Sequence, residues 1–169
     1  MLSLGIIWNK AYEYKREIIS DIEGRVKLLE CFDLDLNDDY EGFVKEIYQN
    51  ENMEDWKIDR KINAMCPCDS KKISVVIFEF DSSRVVYHEF KHKDVYEELE
   101  SLKMYIREKY SKLVDNYVFD IIFHSTDNYS ELRGCLETIR RYEGNIIGEE
   151  EPIQRCKKML PREKNIGER

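Results

Sequence analysis

Apolar residues recur along the chain at two spacings. Leu4-Gly-Ile-Ile-Trp8 is a short uninterrupted apolar run, the pattern of a buried strand, and within residues 11–23 Tyr14, Ile18, Ile19 and Ile22 fall at helical spacing. Residues 26–36 end in alternation through Cys31, Phe32, Asp33, Leu34, Asp35 and Leu36, which predicts a strand with one solvated face. Asn37-Asp-Asp39 supplies a cap for a helix over 40–48, with Phe43, Val44 and Ile47 turned inward. A second short helix is expected over 56–64, followed by a loop broken at Pro67.

The strongest strand pattern follows. Ser74-Val-Val-Ile-Phe-Glu-Phe80, the turn Asp81-Ser-Ser83 and Arg84-Val-Val-Tyr-His-Glu-Phe90 read as two β-branched and aromatic runs joined in a hairpin. Residues 94–113 return to helical periodicity through Val95, Leu99, Leu102, Ile106 and Tyr110. Residues 118–123 form an apolar strand interrupted at Asp120, and 129–142 a helix with Leu132, Leu136 and Ile139 on one face. The order β-α-β-α-α-β-β-α-β-α contains the βαββαβ core of a ferredoxin-like α/β (α+β) fold, helices packed on one sheet, with an added hairpin. One domain is expected over 1–143. Residues 144–169, with two glycines, an acidic stretch and a basic end, read as a loosely ordered tail.

Composition narrows the function classes. The 169 residues suit one domain with a real core, and 37% charged residues imply a wet exterior. No apolar run approaches the ~20 residues a bilayer requires, and the apolar start is short and lacks a basic flank, so no membrane association and a cytoplasmic setting are expected. Five irregularly spaced cysteines read as reduced thiols. A net charge of −8 argues against nucleic acid as a partner, although a local basic patch suffices for one phosphate group.

The chemistry-bearing segment is Asp120-Ile-Ile-Phe-His-Ser-Thr-Asp-Asn128, which delivers His124 to the end of a strand just before a helix. Backbone N–H groups and the dipole at the start of that helix favour an anion, and Asn128 with Glu131 has capping-box spacing. Ser125, Thr126 and Asn128 are the phosphate-binding candidates of the turn. Imidazole titrates near neutrality, so His124 is a candidate nucleophile or base, with Asp127 or Glu131 available to orient the ring. The same residues also suit plain turn formation and capping.

Ile121-Ile-Phe-His-Ser-Thr-Asp-Asn128 resembles the nucleoside diphosphate kinase signature Asn-Ile-Ile-His-Gly-Ser-Asp-Ser, in which the histidine carries a phosphoryl group between nucleotides. His124 matches that histidine and Asp127 the aspartate. Arg107 resembles a phosphate-binding arginine of the family, and the likeness in element order extends over residues 4–142. The resemblance implies a ferredoxin-like fold, double displacement through a phosphohistidine, Mg²⁺ bridging the phosphates, and a nucleotide or other phosphorylated small molecule as partner. It leaves a homo-oligomer open. It also marks departures: Trp8-Asn-Lys-Ala11 stands where the family has Lys-Pro-Asp-Gly, leaving Lys10 as a displaced phosphate ligand, and Ser125 replaces a glycine. A fold relative that binds nucleotide or protein without catalysis is the competing expectation.

Other constellations carry less. His88-Glu-Phe-Lys-His92 fits H-E-x-x-H, in which His88 and His92 would hold zinc and Glu89 would activate water for hydrolysis. That motif requires a helix, whereas in a strand its histidines would stand ~13 Å apart. Cys66-Pro-Cys68 lacks a second ligand pair at zinc-site spacing. Asp33 and Asp35, with Asp38 and Asp39, have the composition of a divalent-metal cluster and equally that of a solvated strand edge.

Overall fold

The computed structural model describes residues 1–118, 120–148 and 151–160. Its centre is a five-stranded antiparallel sheet in the order β6-β1-β3-β2-β7, built from β1 (Leu2–Ile7), β2 (Lys27–Asp35), β3 (Lys72–Glu79), β6 (Phe123–Ser125) and β7 (Ile146–Ile147). Without β7, this is the ferredoxin-like order, with β6 as the fourth core strand. β1 and β3 pair from Leu2 opposite Glu79 to Ile7 opposite Ser74, and β6 flanks β1 with Ile6 opposite His124.

Burial explains the two strand patterns. Every residue of β1 from Ser3 to Ile7 and of β3 from Ile73 to Phe78 is buried, so the central strands are covered on both faces and read as continuous runs. Strand β2 lies farther out, beside the two-residue β7, and alternates, with Phe32 and Leu34 buried between partly exposed neighbours. Gly5 permits the close approach of β6, because a Cβ there would stand 2.6 Å from a ring carbon of Phe123.

Helix α1 (Lys15–Glu23) follows β1 through a 3-10 turn at Asn9–Tyr14. Helices α2 (Tyr40–Gln49) and α3 (Asp55–Met65) fill the connection from β2 to β3, and α4 (Glu97–Ser111) and α5 (Tyr129–Arg141) flank β6 in the chain. Trp8 is fully buried, stacked on Tyr48 at 5.7 Å and met edge-on by Phe43 at 6.2 Å, which ties the end of β1 to α2. Asn9 reinforces this junction: its amide donates to the carbonyls of Met65 and Ser70, and its oxygen accepts the Tyr40 hydroxyl at 2.6 Å. No helix among the described residues is long and apolar enough to cross a membrane.

Three sequence expectations are corrected. The hairpin is not made by β3. Instead β4 (Val85–His88) pairs with β5 (Lys93–Tyr96) as a separate two-stranded sheet, because β3 is already paired on both sides by β1 and β2. Its turn, residues 89–92, places His92 at a positive φ of 50°. The strand expected over 118–123 appears as β6 at Phe123–Ser125, preceded by Asp120 at φ 68°, a left-handed conformation that breaks the run; Phe119 lies outside the described residues. The segment read as a loose tail carries β7 and α6 (Pro152–Met159). Ile153 and Cys156 are buried, and Arg155 pairs with Glu30 of β2 at 2.6 Å, so amphipathic burial and one ion pair hold this helix on the sheet. The rest of that tail, residues 161–169, lies outside the described residues.

Candidate functional site around His124

Strand β6 ends at His124 and Ser125, both buried, with His124 only 3% exposed. Pairing with β1 holds its backbone. The imidazole Nε2 is sealed from solvent and stands 2.9 Å from Glu51 Oε1, a residue just past the end of α2, without a hydrogen bond to it or to any other described residue. Tyr48, in the last turn of α2, meets the ring edge-on at 5.3 Å. Its hydroxyl donates to the backbone oxygen of Asp120 at 3.3 Å.

Two cations approach the same place from different helices. Arg107 of α4 donates its Nε–H to the Phe123 carbonyl at 3.1 Å, fixing the guanidinium beside the residue that precedes His124, and pairs with Asp120 Oδ1 at 2.9 Å. Lys61 of α3 is fully buried, with Nζ 4.7 Å from the centre of the Tyr48 ring and 3.9 Å from Asp120 Oδ2. Desolvation in this setting pulls the Lys61 ammonium down to about 8, against the opposing pull of Asp120, while neighbouring Arg107 pushes it lower still. Burial pushes the Tyr48 phenol well above its ordinary value, so it remains a neutral donor. The non-glycine residue Asp120 in a left-handed conformation costs on the order of 1–2 kcal/mol, offset here by three tertiary contacts through its carbonyl and carboxylate.

The turn after β6 is largely occupied by structure. Thr126 accepts the backbone N–H of Leu4 on its hydroxyl, and its carbonyl accepts the Ser3 hydroxyl at 2.8 Å, so it extends the pairing of β6 with β1. The Ser125 hydroxyl is buried without a hydrogen-bond partner among the described residues. Asn128 caps α5 by accepting the Glu131 N–H at 2.9 Å, and the Glu131 carboxylate returns to the Asp127 N–H at 2.7 Å, the capping box expected from the spacing. Burial raises the Glu131 carboxyl above its ordinary value, a shift reinforced by the nearby Glu51 and Asp127 charges.

Asp127 does not orient the ring. Its carboxylate binds Lys103 of α4 and, at 3.0 Å, Lys93 of β5, and these lysines hold it well below the usual carboxylate range although burial opposes them. A cleft of about 300 Å³ beside the turn is lined by Lys93, Asp94, Tyr96, Asp127 and Asn128, on the hairpin side, and His124 is not part of its lining. Lys10 lies on the 3-10 turn after β1, outside the ion pairs that gather at His124.

The structure thus brings Arg107 beside His124, while Asp127, Thr126 and Asn128 are engaged by Lys93 and Lys103, by β1 and by the cap of α5. The sequence reading missed Glu51, Tyr48 and Lys61 and gave Asp120 no role. Lys61 did leave a signal: Ile58, Lys61, Ile62 and Met65 form one helical stripe, and a lysine on a buried stripe marks a charge with an internal task. Tyr48, four residues after Val44, continues the inward stripe of α2.

The metal readings do not assemble. His88 ends β4 and His92 lies on the hairpin turn, so the H-E-x-x-H residues His88, Glu89 and His92 lack the helix that would align two imidazoles. His88 instead lies 3.6 Å from Glu100 of α4. The Cys66 and Cys68 carbonyls accept hydrogen bonds from Lys71, and Asp33 pairs with Lys15 and accepts the Tyr12 hydroxyl. Among the described residues, no group of three or more histidine, cysteine, aspartate or glutamate side chains is placed to hold a metal ion.

No family model and no curated protein matches the sequence. Among solved structures, the chain is similar to a nucleoside-diphosphate kinase from Borrelia burgdorferi, described as a transition-state mimic with bound vanadate and ADP. The identity is 12% and the TM-score 0.50, over 93% of this chain and 95% of that one. The likeness is one of fold: a distant nucleoside-diphosphate-kinase-like, ferredoxin-like arrangement spanning nearly the whole of both chains.

Proposed function

We propose that this chain is a phosphotransfer protein acting on a nucleotide or a related phosphorylated small molecule, with His124 as the phosphoryl carrier. The observation that carries the reading is the paired environment of the imidazole: a carboxylate, Glu51, at Nε2 and two cations, Arg107 and Lys61, gathered within the same cluster. Nε2 is sealed and faces a carboxylate, so it is the nitrogen suited to hold the proton, which leaves the Nδ1 lone pair for attack. Nδ1 forms a bond to the terminal phosphorus, the bond to the leaving oxygen breaks, and that oxygen departs on the diphosphate. Glu51 balances the positive charge that develops on the ring. The reverse attack by an acceptor phosphate oxygen restores the free imidazole.

Mg²⁺ fits this scheme as a companion of the polyphosphate, where it would neutralise phosphate charge. The ligand's own phosphate oxygens would hold it, because the carboxylates of the cluster are already taken up, Asp120 by Arg107 and Lys61 and Glu51 by the His124 ring. The test is incubation with γ-labelled ATP. Wild-type protein should take up acid-labile label and His124→Gln should not; label persisting in His124→Gln would remove the carrier role.

A second reading has its own support. Asp120 already takes up Arg107 and approaches Lys61, as expected of a module that keeps the fold without transferring phosphate. Binding of nucleotide with no label on His124 is its signature.

A further inference from the structure

We propose that the outer edge of the β4–β5 hairpin joins two copies of this chain, β4 of one pairing antiparallel with β4 of the other about a two-fold axis through Val86. The surface lies on the hairpin added to the ferredoxin-like core and is independent of the chemistry assigned to His124.

The hairpin presents a cluster of apolar side chains to water. Val85, Val86, Tyr87 and Phe90 are 54%, 39%, 61% and 93% exposed, a contiguous group, whereas scattered single apolar residues are ordinary on a surface. Strand β4 also has an open ladder. It pairs with β5 alone, and the Arg84 carbonyl accepts the Glu97 N–H at 3.0 Å, which fixes the phase of the antiparallel pairing. Arg84, Val86 and His88 turn their main-chain groups toward β5, so Val85 and Tyr87 turn theirs outward, where no described residue meets them. Edge strands are ordinarily guarded by a lysine, a proline or a bulge, and Val85-Val-Tyr87 carries none of these.

The hairpin is fixed before any partner arrives. Val95 of β5 is buried, Lys93 pairs with Asp127 at 3.0 Å, and Lys91 donates to both carboxylate oxygens of Glu100 on α4 at 2.8 Å. These contacts hold β5 and the turn against the body and leave β4 outermost, so pairing along β4 has little loose chain to order.

Complementarity, charge and area identify the occupant as a second copy. Among the registers this phase allows, the one centred on Val86 sets Val85 opposite Tyr87 of the second copy, twice, and Val86 opposite its own counterpart. Every apolar side chain of the strand then meets another. Antiparallel pairing also brings the Arg84 end of one strand to the Glu89 end of the other, whereas parallel pairing would set Arg84 beside Arg84. With ~150–250 Å² for each aromatic ring, Tyr87 and Phe90 together with two valines offer on the order of 500 Å² per copy and ~1,000 Å² for the pair, the low end of a specific interface and the size of a reversible dimer.

The test is sedimentation velocity of the full chain over a concentration series. Wild type should pass from monomer to dimer as concentration rises. Val85→Pro removes an N–H that faces away from β5, so the hairpin should persist, read by circular dichroism, while the dimer weakens by about tenfold or more. Val86→Lys should weaken it likewise, because like charges would meet on the axis, and so should Val86→Glu; an equimolar mixture of these two variants should dimerise again. That rescue separates loss of pairing from damage to the fold. Wild type that stays monomeric throughout assigns the edge to a strand of another protein and overturns the proposal. A dimer that Val85→Pro leaves intact overturns it, as does a mixture of Val86→Lys and Val86→Glu that stays monomeric.

Discussion

The Glu51 carboxylate stands 2.9 Å from the buried Nε2 of His124, joining the end of α2 to the last core strand. Under the proposed transfer, a carboxylate this close to Nε2 favours the tautomer that leaves Nδ1 free and stabilises the charge the ring acquires on attack. Glu51→Gln should therefore slow phosphohistidine formation by about 10²-fold, within the range for positioned acid–base partners. Single-turnover labelling checks it, with circular dichroism unchanged. A rate equal to wild type would show that Glu51 leaves the ring's chemistry alone.

Lys61 predicts a stability signature of its own. Its folded-state value lies near 8, below the ordinary 10.5, so at neutral pH the native state holds a proton in an unfavourable site. The unfolded chain binds that proton more tightly, and stability contributed through this group rises with pH between about 8 and 10.5. Lys61→Met should be more stable than wild type at pH 7 by roughly 1–3 kcal/mol, a range that stays below the full shift converted at ~1.4 kcal/mol per unit. The gap should narrow as pH climbs through that window. Urea unfolding of both proteins at pH 7, 9 and 10.5 checks it; a constant gap would contradict the assigned cause.

Asp127 predicts a slope of the same sign in an acidic window. Lys103 and Lys93 depress its folded value below the ordinary 3.8, so its stabilisation is present above that pH and is lost as pH falls below it. Asp127→Asn should cost about 2 kcal/mol at pH 7, the size of a charged hydrogen bond with partial exposure. The gap should shrink progressively as pH falls below about 4, while labelling of His124 persists in the variant. Loss of labelling with full stability would instead place Asp127 in the reaction.

Gly5 links packing to the site. An added methyl meets Phe123 at 2.6 Å and Val76 at 2.9 Å, so Gly5→Ala must push β6 away from β1. A cost of about 1–3 kcal/mol is expected from overpacking, together with reduced labelling of His124, which lies next to Phe123. Thermal melting and labelling measured on the same sample check both effects.

Much of the fold was legible from periodicity. The runs at 4–8 and 74–80 are strands covered on both faces, the alternation after Cys31 is the outer strand, and the stripes within 40–48, 56–64 and 129–142 are helices. The capping box of Asn128 and Glu131 was equally visible, because it depends only on residues three apart. Errors arose where a segment chooses between partners. Residues 84–90 have strand character, yet β3 had no free edge, so they pair with 93–96 instead. The segment after Gly144 was judged by its polarity, although Ile153 and Cys156 suffice to seat α6 against β2.

The sequence by itself determined that His124 closes a buried strand before a capped helix, since local spacing dictates burial and caps. Only the tertiary structure decided what surrounds that histidine. Glu51, Tyr48, Lys61, Arg107 and Asp120 lie in separate segments, and their meeting depends on strand order and on how α2, α3 and α4 pack. Periodicity records which face of an element is buried; it carries no record of which distant charge that face will meet.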